Sequence, residues 1–319
     1  MNQVGEYDIA TKRRVRCGVA EAMDMTQNAT QLSALSRLFS SSVYREMAMK
    51  GCSPLFARLF GLTGLSNQSI DESTVGAAFD AAFSVLRNSG FRDEYVFRAA
   101  LTHNILLGRH SLNTTSMLTE FRAGSCKADL VILNGTSTVY EIKSDRDSLT
   151  RLANQISNYR KVFAKIYVIA GEAHVHEVLE STSSDIGVMS LAREDRIRTV
   201  REAADRANFV CPKTIFDSLR LEEARSILRA FKVSVPDVPN TMLHSAMRDC
   251  FSRIEPAEVH SLMVKTLKKT RTLAPLSNLV EQLPESLKPA ALSVHVRRSD
   301  HEKLLKAVRT PLSEAIAWA

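Results

Sequence analysis

Two acids and a lysine stand at a spacing that could do chemistry. They lie in Ala128-Asp129-Leu130-Val131-Ile132-Leu133-Asn134-Gly135 and in the following Val139-Tyr140-Glu141-Ile142-Lys143. If both segments are strands, the two-residue period puts Glu141 and Lys143 on one face, with Val139 beside them. Whether Asp129 joins them depends on the turn. A two-residue Asn-Gly loop pairs Asp129 with Tyr140 and sends it to the opposite face. A three-residue loop, Leu133-Asn134-Gly135, with Gly135 in the left-handed conformation and a bulge, shifts the parity by one and brings Asp129 to the face of Glu141 and Lys143. We expect the bulged turn. Carboxylates and an ammonium on a buried face need pairing or a metal ion to persist. A hard cation such as Mg2+ uses one or two carboxylates plus waters and phosphate oxygens, and it makes a nucleophile available at neutral pH. A lysine beside the attacking water offsets anionic charge. Together these groups would suit phosphodiester hydrolysis. The plainer alternative is a solvated Glu141–Lys143 pair on a strand surface.

The surrounding elements must carry these residues. Met117–Arg122, Ala128–Leu133 and Thr136–Lys143 are expected as strands, with turns at Ala123-Gly124-Ser125 and Asn134-Gly135. The unbroken Leu130–Leu133 run predicts a strand covered on both faces. A helix follows, capped by Asp147 or Ser148, with Leu149, Leu152, Ile156, Tyr159 and Phe163 at helical spacing. Then come a strand at Ile166–Ala170, a helix at Glu172–Ser181 and a strand at Gly187–Leu191. A helix from about Asp93 to Leu107 precedes the first strand. Further upstream, helical periodicity runs through Gln31–Met49 and Ser73–Leu86, with Gly61, Gly64 and Ser66–Ser73 expected in loops. From Ala192 onward the pattern is helical and polar, broken near Pro236–Pro239, Pro275 and Pro284–Pro289. The order predicts an α/β layer with helices packed on a mixed sheet.

Composition narrows the class without choosing a function. The chain has 319 residues, 45% hydrophobic and 24% charged, with 12 Gly and 9 Pro, the balance of a helix-rich globular protein. A net charge of +7 favours polyanionic partners. The odd cysteines Cys17, Cys52, Cys126, Cys211 and Cys250 contain no Cys-x-x-Cys pair and fit reduced thiols. The basic run Lys12–Arg16 leads into no apolar segment of a signal peptide, and no stretch is long enough to span a bilayer, so a cytoplasmic protein without membrane contact is expected. His174 and His176, two apart, do not share a helix face and lack a completing ligand. Arg122 and Lys127 flank the candidate strands as phosphate contacts or simply exposed cations; Asp145 and Asp147 follow closely enough to hold an outer ligand sphere or a second metal, and helix capping explains Asp147 equally well. The basic clusters Lys265–Arg271, His295–Arg298 and Lys303–Arg309 offer either a DNA-binding face or a solvated helix surface.

The densest stretch, Glu120–Phe163, resembles the PD-(D/E)XK, or restriction-endonuclease-like, nuclease superfamily, and the likeness extends over about Glu94–Leu191. In that superfamily the acid opening the second core strand corresponds to Asp129, and the Glu-x-Lys of the third strand to Glu141 and Lys143. The Pro that names the motif is replaced by Ala128. The resemblance implies a further acid upstream, for which Glu94 and Glu120 are the candidates and Glu120 is preferred. It also implies a Gln-x-x-x-Tyr pair on the next helix, matched by Gln155 and Tyr159 of an uncharacterised bacterial branch. The implied fold is a PD-(D/E)XK core at 92–195, between a helical N-terminal region at 1–91 and a helical C-terminal domain at 196–319. The implied activity is cleavage of DNA with Mg2+ or Mn2+ held by Asp129, Glu141 and Glu120, in phage defence, mobile-element biology or DNA repair. The flanks would bind substrate or a protein partner, or form a homodimer. The competing expectations are a catalytically silent nuclease-like DNA-binding or regulatory module, and a protein-binding helical scaffold.

Overall fold

Capping residues decide where the N-terminal helices begin and end. The computed structural model describes residues 29–65, 73–88, 92–192 and 195–319; Lys12–Arg16, Cys17 and positions 66–72 of the expected Ser66–Ser73 loop lie outside them. Helix α1 is Ala29–Leu38 and α2 is Ser41–Lys50. The single helix expected over Gln31–Met49 is therefore two. Ser40 leaves helical geometry (φ −67°, ψ 151°), its hydroxyl accepting from the Val43 amide, and Gly51 closes α2 in the left-handed conformation. Helix α3, Pro54–Leu62, starts from Ser53, whose hydroxyl accepts the Phe56 amide at 3.0 Å. It includes Gly61, which was expected in a loop. Helix α4 is Val75–Asn88, and α5, Glu94–Leu101, capped by Asp93, continues as a π-helical segment at Thr102–Leu107.

Six strands follow in one sheet: β1 Ser116–Ala123, β2 Cys126–Asn134, β3 Thr136–Lys143, β4 Lys165–Gly171, β5 Gly187–Leu191 and β6 Ile197–Arg201. Their spatial order is their chain order. β1, β2 and β3 form an antiparallel meander, β3–β4 and β4–β5 are parallel, and β6 returns antiparallel on the edge. Each parallel step carries a crossover helix, α6 at Leu152–Tyr159 and α7 at Val175–Ser181. The protein is thus α/β, with a mixed six-stranded sheet flanked by helices. β6 corrects the expectation of helical sequence from Ala192 onward: its five residues are part-exposed and rich in arginine, which suits an edge strand and hides it from a hydrophobicity pattern.

The sheet separates two apolar cores, which is why β2 is an unbroken apolar run. Leu130 and Ile132 join one core with α1–α5 and the helices α12 (Ser277–Gln282), α13 (Lys288–Ser293), α14 (His301–Arg309) and α15 (Leu312–Ala315). Val131 and Leu133 join the other with α6, α8 (Pro212–Ser218), α9 (Leu221–Ala230), α10 (Asn240–Phe251) and α11 (Pro256–Thr270). The C-terminal helices, read from sequence as one domain, divide between the two faces rather than sharing a core of their own. Among the described residues, no helix is long and apolar enough to cross a membrane.

One polar contact inside the second core makes stability depend on pH. His260 on α11 is buried, its Nε2 2.7 Å from the Ser137 hydroxyl on β3, and that hydroxyl also accepts the Ala164 amide at 3.1 Å. Burial holds the imidazole pKa below its usual 6.5, against a weaker opposing pull from Asp205. The folded state therefore binds fewer protons than the unfolded one as the pH falls below 6.5. The contribution is complete above 6.5 and is lost as the pH drops through the folded value. Thermal melts of wild type and His260→Asn between neutral and mildly acid pH should diverge, the wild type losing up to about 1.4 kcal/mol more per pH unit. Parallel curves would show that His260 does not titrate on unfolding.

Candidate active site

The β2–β3 turn determines which groups meet. Asn134 pairs with Thr136 around Gly135, which sits at φ 74°, and Leu130 pairs with Tyr140. Continued by one residue, this register sets Asp129 across from Glu141. The turn lies slightly further along than the expected Leu133–Gly135 loop, which would have paired Ile132 with Thr136. The register differs by two, so the parity is the same and Asp129 falls on the side of Glu141 and Lys143. Asp129 Oδ2 accepts the Ile142 amide at 2.8 Å, taking the place of a ladder bond at the end of the hairpin.

Glu141 and Lys143 are almost wholly buried, at 1% and 4% exposure. Lys143 Nζ donates to Glu141 Oε1 at 2.8 Å and to Gln155 Oε1 at 3.0 Å. The Tyr159 hydroxyl lies 2.7 Å from Glu141 Oε2 and 2.8 Å from the Lys127 carbonyl, two acceptors for its single proton. Gln155 and Tyr159 reach the hairpin together because residues four apart share a helix face. Burial raises the Asp129 carboxyl to about 8, the neighbouring Glu141 and Glu94 charges add to this, and the Ile142 amide and Lys143 partly offset it. Tyr159 is pushed up as well, first by burial and then by Glu141.

Glu120 has an unusual backbone. It stands in β1 at φ 53°, a left-handed conformation uncommon outside glycine, and the β1–β2 pairing runs from Thr119–Leu130 to Phe121–Ala128 without it. Leu118 and Phe121, three apart, consequently enter the same core, so the strand's alternation is reset at Glu120. The side chain is exposed, with Lys127 Nζ 3.6 Å away. Glu120, Lys127, Asp129, Arg151 and Gln155 line an open cleft of about 370 Å³. Glu94, the other upstream acid, sits in the first turn of α5, half-exposed and paired with Arg98.

Several neighbours have other work. Asp145 pairs with Arg92 at 3.2 Å and lies against Gly171, where a Cβ would meet its Oδ1 at 1.8 Å. Arg92 also donates to the Leu191 and Ala192 carbonyls, tying the turn after Lys143 to the end of β5. Asp147 does not cap α6, which starts only at Leu152; its Oδ2 accepts the Ser144 amide at 2.8 Å and hydroxyl at 2.7 Å. His176 is exposed and faces Glu180. A residue not anticipated from sequence is Asn158, buried on α6. Its Oδ1 accepts the Ser125 amide at 3.2 Å and holds the β1–β2 turn that carries Lys127. The available signal was Gly124, at φ 60°, where a Cβ would come within 2.3 Å of the Asn158 Oδ1.

Among the described residues, no three His, Cys, Asp or Glu side chains converge as a ready-made metal cage. Two facing carboxylates, one of them made hard to ionise by burial and then by the other, do fit a cation that keeps most of its waters, as Mg2+ does. Asp129 and Glu141 are the pair able to hold it.

The matched family model is described as bacteriophage P4 protein cII and covers residues 87–293, from the end of α4 through the sheet to α13. Among characterised proteins, Protein cII of Enterobacteria phage P4 is 42% identical over 65 residues, 20% of this chain and 25% of that protein. The aligned part thus spans about a quarter of that relative's length. Among solved structures, a protein of unknown function from Silicibacter pomeroyi aligns with 37% of this chain and 80% of its own, at 18% identity and a TM-score of 0.26. The family model takes in well over half of the chain and every residue of the site just described, and the protein belongs to the bacteriophage P4 protein cII family.

Proposed function

We propose that this protein is a metal-dependent nuclease of the PD-(D/E)XK type that hydrolyses DNA phosphodiester bonds. The observation that carries the reading is the buried Glu141–Lys143 pair facing Asp129, on a hairpin preceded by α5 and followed by α6. Burying two ionisable groups beside a third that is half-buried costs more than an apolar hairpin would, so a use for them is the economical explanation. Asp129 and Glu141, with Glu120 at the cleft rim, would hold Mg2+ or Mn2+. When bound, such a cation supplies a nucleophile at neutral pH and offsets charge on the scissile phosphate. Lys143 keeps an ammonium beside that phosphate, Gln155 fixes its direction, and Tyr159 holds the second oxygen of Glu141. Lys127 and Arg151, on the cleft walls, suit phosphate contacts along the strand. A family named for a phage protein favours mobile-element biology over repair as the setting.

A second reading has its own support. Both Glu141 oxygens already have donors in Lys143 and Tyr159, so the site is closed without a metal. On that reading the chain is a catalytically silent DNA-binding or regulatory module. Supercoiled plasmid incubated with the protein and Mg2+ or Mn2+ separates the two. Nicking or linearisation by wild type, lost with EDTA and in Asp129→Ala and Lys143→Ala, is the expected result. Plasmid that stays intact while being bound by wild type would move the conclusion to the silent module.

A further inference from the structure

A cleft lies away from the β2–β3 hairpin, between α12 and α14. It encloses about 750 Å³, within the range of small-molecule sites. Its cations are Arg298, Lys306 and Arg309. None of them forms an ion pair among the described residues; Arg309 donates only to the Gln282 side chain, at 2.8 Å. By contrast Lys303, which does not line the cleft, pairs with Asp300 at 3.7 Å. His301, at the head of α14, lines the same cleft.

The other lining groups say what kind of molecule would fit. Glu302 and Glu314 disfavour a continuous polyanion laid along the cleft, yet they accept well from hydroxyl and amino groups. Leu279 and Leu305 supply an apolar wall against which a flat ring can rest. Glu302, Leu305, Lys306 and Arg309 recur at helical spacing, so one face of α14 presents carboxylate, apolar and cationic groups side by side.

We propose that this cleft is a nucleotide-binding site, with phosphate on Arg298, Lys306 and Arg309, and sugar or base polar groups on Glu302 and Glu314. It does not depend on the nuclease reading, and its cationic residues all lie beyond the segment matched by the family model. The occupant is a free nucleotide or the phosphorylated end of a strand; both present the same chemistry.

Equilibrium dialysis of the full chain in EDTA, with radiolabelled ATP or a 5′-phosphorylated trinucleotide, tests it. Wild type should bind at least one of the two, and Arg298→Ala/Lys306→Ala should weaken that binding at least tenfold. Asp129→Asn, at the hairpin, should leave it unchanged, which separates this cleft from the candidate active site. The exposed single change Lys306→Glu serves as a second variant should the double one fold poorly. ATP alone identifies a free nucleotide as the occupant, and the trinucleotide alone identifies a strand end. Binding of neither probe overturns the proposal. So does equal binding by wild type and Lys306→Glu, or competition by inorganic phosphate as effective as by ATP.

Discussion

Asp129→Asn should abolish DNA cleavage and, in EDTA at alkaline pH, make the protein harder to unfold. The two effects have one cause. The wild-type carboxylate faces Glu141 in a buried hairpin, and its pKa stands at about 8 in the folded protein against 3.8 for an ordinary aspartate. A folded value above the unfolded one means that the group's favourable contribution is complete below 3.8 and is lost as the pH rises through about 8. Asparagine keeps an oxygen for the Ile142 amide and carries no charge. Its advantage over wild type therefore grows from mildly acid to alkaline pH and then levels off. On the proposed nuclease reading, adding Mg2+ or Mn2+ at pH 8 or above should raise the wild-type melting temperature, since the ion would bind only the deprotonated pair. The variant should not respond. Cleavage should fall by at least about 100-fold, the scale of losing one preorganised charge at a reacting phosphate. Thermal melts in EDTA across this pH range, beside plasmid cleavage, measure both effects. A variant less stable than wild type at pH 8.5 in EDTA would show that the Asp129 charge is not disfavoured by burial and by Glu141.

How much of this site could be read from sequence depends on how local each determinant is. The strand–turn–strand order around Asn134-Gly135 was legible because glycine supplies the left-handed turn residue and the flanking runs alternate or bury as strands do. Parity placed Asp129 with Glu141 although the turn lies further along, because an even shift of register leaves the faces unchanged. Gln155 and Tyr159 were legible by resemblance and by their spacing, and both contact the buried pair. What escaped was set by contacts distant in sequence. The left-handed Glu120 has no glycine to announce it, since the constraint comes from its pairing with β2. Asp145 and Asp147 were equally plausible as ligands until Arg92 and Ser144 claimed them. Strand β6 escaped because an exposed edge needs no apolar alternation. The division of the C-terminal helices between two cores depends on which face of the sheet each one meets, and polar-apolar spacing along a helix does not encode that.

Lys143→Met should have the opposite sign to Asp129→Asn. Lys143 sits inside the hairpin site, 2.8 Å from Glu141 and almost fully shielded from water. Removing it leaves Glu141 without its charged donor and facing Asp129 across the strand pair, with only the Tyr159 hydroxyl left on its other oxygen. Breaking one side of a buried ion pair costs about 3–5 kcal/mol, most of it from the charge left behind. Two conditions should restore part of that loss, and a merely structural lysine would not share the second. Lowering the pH neutralises an acid of the pair, so the gap to wild type should narrow towards mildly acid pH. Adding Mn2+ replaces the missing positive charge, so the variant should gain more in melting temperature from the ion than wild type does, while remaining unable to cleave. Lys143→Arg keeps the charge but not the compact donor, and should fold better than the methionine variant without recovering wild-type cleavage. If Lys143→Met is as stable as wild type in EDTA at pH 8, Lys143 is not what balances Glu141 in this hairpin, and the silent-module reading would gain over the nuclease.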